Sequence, residues 1–266
     1  MIQQSYINHW RATQAPWSTD AYVEHDLVLS RALIELFSQS LISETMALRG
    51  GTALNKIHLK KFGRFSEDID LVQIKPGENG PFIDVTRACL DPLFGVPKRK
   101  IGEGVTTLTY KFTTTDNLTL KLKIETNTRE HQSFLPLIDY EFNMDSGWYS
   151  GKCTIKSYAL EELLSTKLRA LYQRKKGRDL YDLWATANEL KINYVAVIRG
   201  FYYYLKHEGL HVSKKELEEN LNDKLKDKTF LDDIQPLLQS HIGYDSQQAA
   251  QWFTNTILPL IGVENT

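Results

Sequence analysis

Cysteine is nearly missing: only Cys89 and Cys153 occur in 266 residues. Two cysteines give no disulfide framework and no zinc-site spacing. No segment approaches the roughly 18–20 apolar residues that cross a bilayer. The first residues, Met1-Ile2-Gln3-Gln4-Ser5-Tyr6, lack the basic-then-apolar layout of a signal peptide. Strong net charge is missing too, with 32 basic against 33 acidic residues and a formal charge of −1. The whole-protein field therefore does not announce a polyanion, although local patches still can. No internal repeat, low-complexity tract or Gly/Ser linker interrupts the chain. These absences predict a soluble cytoplasmic protein with no membrane contact.

What is present is ordinary globular composition, 42% hydrophobic and 24% charged. Apolar residues at helical spacing from Leu27 to Leu41 predict one long helix or two over about residues 20–44. A short apolar stretch, Met46 to Leu48, leads into Gly50-Gly51. A helix is expected from Thr52 to about Phe62, a strand over 66–74, a loop over 75–81 and a helix over 82–94. The alternation in 106–114 and 118–125 around Thr115-Asp116-Asn117 predicts an antiparallel hairpin. Another strand is expected near 152–156. From Ala159 the period changes to helical, with one helix through Leu171, a break near Gly177, a second to Leu190, and a mostly helical remainder. The resulting expectation is an α+β fold, with a sheet-containing domain over residues 1–157 and a helical C-terminal domain over 158–266.

The segment from Leu48 to Leu71 carries the chemistry. Asp68 and Asp70 stand two apart on a strand and so point to one face, with Ile69 and Leu71 on the other. Side-by-side carboxylates repel, and a cation between them relieves the repulsion. Oxygen ligands on one short strand suit Mg²⁺, with Mn²⁺ as the alternative. Gly50 and Gly51 permit a tight turn and close backbone approach. Thr52 falls where an N-cap hydroxyl would, or one residue inside the helix. Free N–H groups at a helix start bind phosphate. Arg64 is placed to brace a phosphate and Ser66 to line the turn. A phosphate cradle followed by a metal clamp is the minimal kit for phosphoryl or nucleotidyl transfer.

Other residues read more plainly. His58 is expected to pack rather than ligate. Trp148, Tyr149 and the run Phe201-Tyr202-Tyr203-Tyr204 are read as core. Basic clusters stand at Lys56–Arg64, at Lys98-Arg99-Lys100 and at Lys167–Arg178, where they are either solvated faces or contacts for a polyanion. Lys167 interrupts an apolar helix face, so it either snorkels or reaches into a site. Asp179 and Asp182 share a helix face, and spacing does not choose between them.

Four stretches together carry a resemblance. They are Gly50-Gly51-Thr52 with Arg64-Phe65-Ser66-Glu67-Asp68-Ile69-Asp70-Leu71, and Asp26-Leu27-Val28-Leu29-Ser30. Lys121-Leu122-Lys123-Ile124-Glu125 follows, with Asn127 and Arg129-Glu130. The last is Lys167-Leu168-Arg169-Ala170-Leu171, with Arg174 and Arg178-Asp179-Leu180-Tyr181-Asp182-Leu183. Over roughly residues 20–190 the chain resembles the AbiEii/AbiGii toxin nucleotidyltransferases, which include the MenT toxins and belong to the DNA polymerase β-type superfamily. The resemblance implies a nucleotidyltransferase core, a small mixed sheet with flanking helices, followed by helices. It implies a nucleoside triphosphate substrate and a third carboxylate, for which Glu125 is the candidate, as metal ligand or base. It implies that Lys167 contacts the triphosphate and that Asp182 or Asp179 supplies a further catalytic carboxylate. It also implies a toxin–antitoxin or abortive-infection role in phage defence, an AbiEi-like antitoxin encoded upstream, and the tRNA 3′ end as acceptor, with blocked translation. The rival expectations are a small-molecule or protein acceptor, and a GTP-binding toxin without turnover.

Overall fold

A computed structural model describes residues 2–239 and 242–262. Two compact units make up the chain, Met1–Tyr158 and Ala159–Thr266.

The first unit runs α1 (Gln4–Thr13), α2 (Asp20–Phe37), α3 (Ser40–Thr45), β1 (Met46–Arg49), α4 (Gly50–Ala53), β2 (Asp68–Gln73), α5 (Gly80–Phe94), β3 (Lys98–Gly102), β4 (Val105–Thr113), β5 (Thr119–Asn127), β6 (Ile138–Asp145) and β7 (Ser150–Ser157). The seven strands form one mixed sheet in the order β3-β4-β5-β2-β1-β7-β6. β2 runs parallel to β5 and β1 parallel to β7, while the other pairings are antiparallel. Alternation along the strands buries Ile69, Leu71, Leu108, Tyr110, Leu122 and Ile124 on one side. Against that core lie α2 and α5; α2 touches β2, β5, β6 and β7. The α2 start is capped by Thr19, whose side chain accepts from the Tyr22 N–H.

The helical run expected from Thr52 begins at Gly50 instead and is not one α-helix. An α turn over Gly50–Ala53 passes into a π-helical stretch, Leu54–Leu59, and a 3₁₀ turn, Lys60–Phe62. The widened turns sit where Asn55 faces inward: its Oδ1 accepts from the Arg64 N–H, and a Cβ on Gly63 would lie 1.9 Å from that oxygen. The expectations from sequence omit α1, β3 and β6. β3 and β6 are the two sheet edges. Every residue of β3 is exposed, so it shows no apolar face. β6 does alternate Ile138, Tyr140, Phe142 and Met144 with polar residues, a strand pattern that was overlooked, although only Met144 is buried there.

The second unit is helical: α6 (Leu160–Gln173), α7 (Gly177–Glu189), α8 (Tyr194–His207), α9 (Lys214–Lys224), α10 (Lys228–Asp232) and α11 (Ser246–Thr256). Asn193 caps α8, and a Ser213/Glu216 capping box starts α9. Gly177 opens α7 beside α10; a Cβ there would lie 2.2 Å from the Phe230 carbonyl oxygen. Phe201 and Tyr204 are buried as expected, and Tyr202 and Tyr203 are half-buried.

A buried carboxylate ties the start of the first unit together. Asp26 accepts from Trp10 Nε1 at 2.8 Å, Trp17 Nε1 at 3.0 Å and Lys56 Nζ at 2.6 Å. Asp26→Ala removes the acceptor and strands the Lys56 ammonium. It is expected to cost about 3–5 kcal/mol, read as a lower urea midpoint with unchanged slope, and Asp26→Asn is expected to cost less.

Candidate active site

Strand pairing gathers the acidic residues. In the parallel pair Asp70 sits beside Glu125 and Asp68 beside Lys123. In the antiparallel pair Arg49 sits beside Asp70. Paired residues share a sheet face, so Arg49, Asp68, Asp70, Lys123 and Glu125 all rise from the side opposite the core. The Lys123 ammonium lies 2.8 Å from Glu125 and 3.6 Å from Asp68. Glu125 is thus salt-bridged to Lys123, and it also stands next to Asp70. Burial raises the Asp68 carboxyl above the ordinary range; the charges of Glu67 and Glu125 add to this, while Lys123 opposes it. Burial works against the Lys123 charge too, but the Glu125 hydrogen bond and the fields of Asp68, Glu125 and Asp70 outweigh it and leave its pKa raised.

The glycine turn lies directly against the carboxylates. Gly50 has φ of +76°, and a Cβ there would fall 2.3 Å from Asp70 Oδ2. Only glycine satisfies both the left-handed backbone and the contact. A Cβ on Gly51 would lie 2.7 Å from Arg64 Nη2 and 3.2 Å from Ser66 Oγ. The Thr52 hydroxyl is not an N-cap: the helical run starts two residues earlier, after Arg49. It is buried, bonds Ser66 Oγ at 2.8 Å and donates to the Asp68 carbonyl. Thr52 therefore pins the turn to the start of β2. Arg64 is buried, and its Nη1 donates to the Phe65 carbonyl. His58 packs edge-on to Tyr140 with centroids 5.3 Å apart. Trp148 and Tyr149 flank the Arg31 guanidinium rather than filling the core.

Arg49 was missed by sequence reasoning. Its guanidinium is ion-paired to Glu130 and stands beside Asp70. The only sequence signal was its position immediately before Gly50.

Lys167, Asp179 and Asp182 belong to the second unit and form a buried cluster of their own. Lys167 Nζ lies 2.7 Å from Asp182 and 3.3 Å from Asp179. Arg174 holds Asp179 with two bonds, of 2.7 and 2.9 Å. Both aspartates are fully buried, and the Lys167 side chain is 7% exposed. Both sequence candidates thus meet the same ammonium, Asp182 more closely.

A profile of the nucleotidyl transferase AbiEii toxin family, a type IV toxin–antitoxin system, matches residues 31–253. The chain belongs to this family. It is a nucleotidyltransferase toxin, and the toxin–antitoxin family implies an antitoxin partner. Its fold is shared with MenT4, a nucleotidyltransferase toxin from Mycobacterium tuberculosis H37Rv, at TM-score 0.60 and 16% identity over 100% of both chains. It is also shared with a putative nucleotidyltransferase from H. pylori, at TM-score 0.53 and 20% identity over 91% of this chain and 95% of that one. JHP933 from Helicobacter pylori aligns at TM-score 0.51 and 20% identity, over 91% and 92% of the two chains. No curated protein sequence matches the toxin. Among the described residues, no helix is long and apolar enough to cross a membrane.

Two outcomes test this geometry. Because the Asp68 pKa is raised in the fold, ionising it opposes folding; that cost is full above the folded pKa and vanishes below the ordinary value. Asp68→Asn is therefore expected to hold or raise the thermal midpoint at pH 7.5, with the gain fading as pH falls through the ordinary carboxylate range. Lys167→Ala leaves two buried carboxylates without their ammonium. It is expected to destabilise by about 3–5 kcal/mol in denaturant unfolding, with Lys167→Arg recovering only part, since a planar fork does not replace a point charge.

Proposed function

We propose that the toxin transfers a nucleoside monophosphate from a nucleoside triphosphate to an acceptor hydroxyl, with Mg²⁺ (Mn²⁺ as the alternative ion) held by Asp68 and Asp70. The supporting observation is the seating of the Asp70 carboxylate against the Gly50 backbone, with Glu125 beside it on the next strand. The donor set fits the ion. All of its donors are carboxylate oxygens, the hard ligands that Mg²⁺ takes. With Lys123 bridging Asp68 and Glu125, no three-residue metal cluster is formed among the described residues, so Glu125 would join as a third ligand only on release from Lys123. Mg²⁺ uses one or two carboxylates and completes its shell with water and substrate phosphates. Bound there, the ion would supply Lewis-acid polarisation of the phosphate oxygens and neutralise charge developing on pyrophosphate.

The protein groups divide the remaining work. Gly50, Gly51 and Thr52 open the helical run, where first-turn N–H groups have no intrahelical acceptor and suit a triphosphate. Ser66 and Arg64 brace that turn. The acceptor oxygen attacks the α-phosphorus, the bond to pyrophosphate breaks, and Glu125 takes the hydroxyl proton, with Lys123 fixing its carboxylate. Glu125 is also the candidate third metal ligand. Lys167 is proposed to neutralise the triphosphate, and Asp182 and Asp179 to orient it, a role carried by the family resemblance.

The proposed acceptor is the tRNA 3′ end and the proposed effect is blocked translation, in a phage-defence pair whose AbiEi-like antitoxin is encoded upstream and whose toxin works in the cytoplasm. The type IV toxin–antitoxin family supports the antitoxin partner in this reading; the tRNA acceptor and the phage-defence role rest on the sequence resemblance.

Purified toxin with Mg²⁺ and α-labelled triphosphate is expected to label tRNA. Asp70→Ala should abolish labelling and relieve slowed growth on expression, and Glu125→Gln should lower kcat by about 10²–10⁴-fold. Full turnover in Asp70→Ala would end the assignment. Label found only on protein or on a small molecule would replace the acceptor and leave the chemistry standing.

A further inference from the structure

The sheet face bearing Asp68 and Asp70 continues past β5. Register sets Lys111 beside Lys121 and Thr109 beside Lys123. It then sets Lys98 beside Thr109 and Lys100 beside Thr107. Lys98, Lys100, Lys111, Lys121 and Lys123 therefore rise from the same side as the two aspartates. Lys123 is engaged with Asp68 and Glu125. The other four are exposed, and none forms an ion pair among the described residues. Like charges on neighbouring strands repel, so this face is poorly matched to itself and well matched to a polyanion. A depression of about 700 Å³ runs over it, bounded by Tyr22, Phe65 and Asp68. Tyr22 is half-buried and stacks on Phe65, with centroids 4.1 Å apart and planes at 12°.

We propose that this lysine face is the track for the RNA strand that carries the acceptor hydroxyl. This rests on the nucleotidyl-transfer reading and adds where the acceptor lies. The strand's phosphates sit over Lys98, Lys100, Lys111 and Lys121, with Thr107 and Thr109 hydroxyls as neutral donors. A base near its end stacks on Tyr22, and the end itself meets Asp68 and Asp70. Alternate residues on β3 stand about 6.7 Å apart, a spacing that suits successive phosphates of an extended strand. The aromatic edge favours nucleic acid over an acidic protein, since stacking accepts any base. The cations are on the carboxylate side of the sheet, so a strand bound along them arrives at the reacting groups without crossing the core.

The test compares the full-length toxin with a variant carrying Lys98→Ala, Lys100→Ala, Lys111→Ala and Lys121→Ala. All four side chains are exposed, and thermal melts would check folding; the single changes Lys100→Ala and Lys121→Ala serve if the fourfold variant melts early. Bulk tRNA is the probe, titrated across salt concentrations. Each phosphate contact contributes about 0.7 to the slope of log affinity against log salt for a single strand. The fourfold variant is therefore expected to lose about 3 from that slope, to raise the KM for tRNA at least about tenfold, and to keep the KM for nucleotide. Unchanged slope and unchanged tRNA KM would overturn the track. Loss of antitoxin binding with RNA binding intact would overturn it in favour of a protein partner. If wild-type toxin binds tRNA with the steep slope, the fourfold variant loses it, and tRNA is never labelled, the tRNA-acceptor reading fails while the lysine face stands as an RNA-binding surface.

Discussion

The close approach of the Gly50 backbone to the Asp70 carboxylate is the contact on which the site depends. A side chain at Gly50 would occupy the space of Oδ2, and the left-handed backbone there excludes most other residues in any case. The turn can bend back over β2 only because this position is empty. Thr52 then locks the bend through the Asp68 carbonyl and Ser66. Local chain freedom at one residue thus decides where a carboxylate oxygen stands.

The parallel β2–β5 pairing does the rest. It joins residues more than fifty positions apart and aligns Asp70 with Glu125 by register alone. A slip of one residue would turn Glu125 into the core. The slip is prevented by burial of Ile69, Leu71, Leu122 and Ile124 under α2. The same apolar alternation that holds the fold therefore aims the charged residues, and the lysines of β3, β4 and β5 inherit their direction from it.

The helical unit solves a different problem. Three charged groups, Lys167, Asp179 and Asp182, are withdrawn from water and survive because they neutralise one another, with Arg174 completing Asp179. Removing one member costs more than the pair contributes, because the others remain buried. The arrangement ties α6 to α7 whatever further role its members have.

The sequence alone determined the hairpin, the long helices, the acidic strand and the glycine turn. Each rests on short-range rules: alternation, helical spacing and the freedom of glycine. It also determined that Asp68 and Asp70 share a face, because strand geometry makes i and i+2 neighbours wherever the strand is placed. Tertiary structure decided what those rules do not reach. β3 exists because a neighbouring strand satisfies its backbone, not because its side chains form an apolar face, whereas β6, with Ile138, Tyr140, Phe142 and Met144 alternating with polar residues, carried its strand signal in the sequence. The broken helix after Gly50 follows from Asn55 bonding a loop nine residues on. Thr52 looked like a cap and became a buried clasp, because its hydroxyl found the Asp68 carbonyl across the turn. Arg49 beside Asp70, and Lys167 between two aspartates, are pairings made by strand register and helix packing, which bring together charges that the chain order keeps apart.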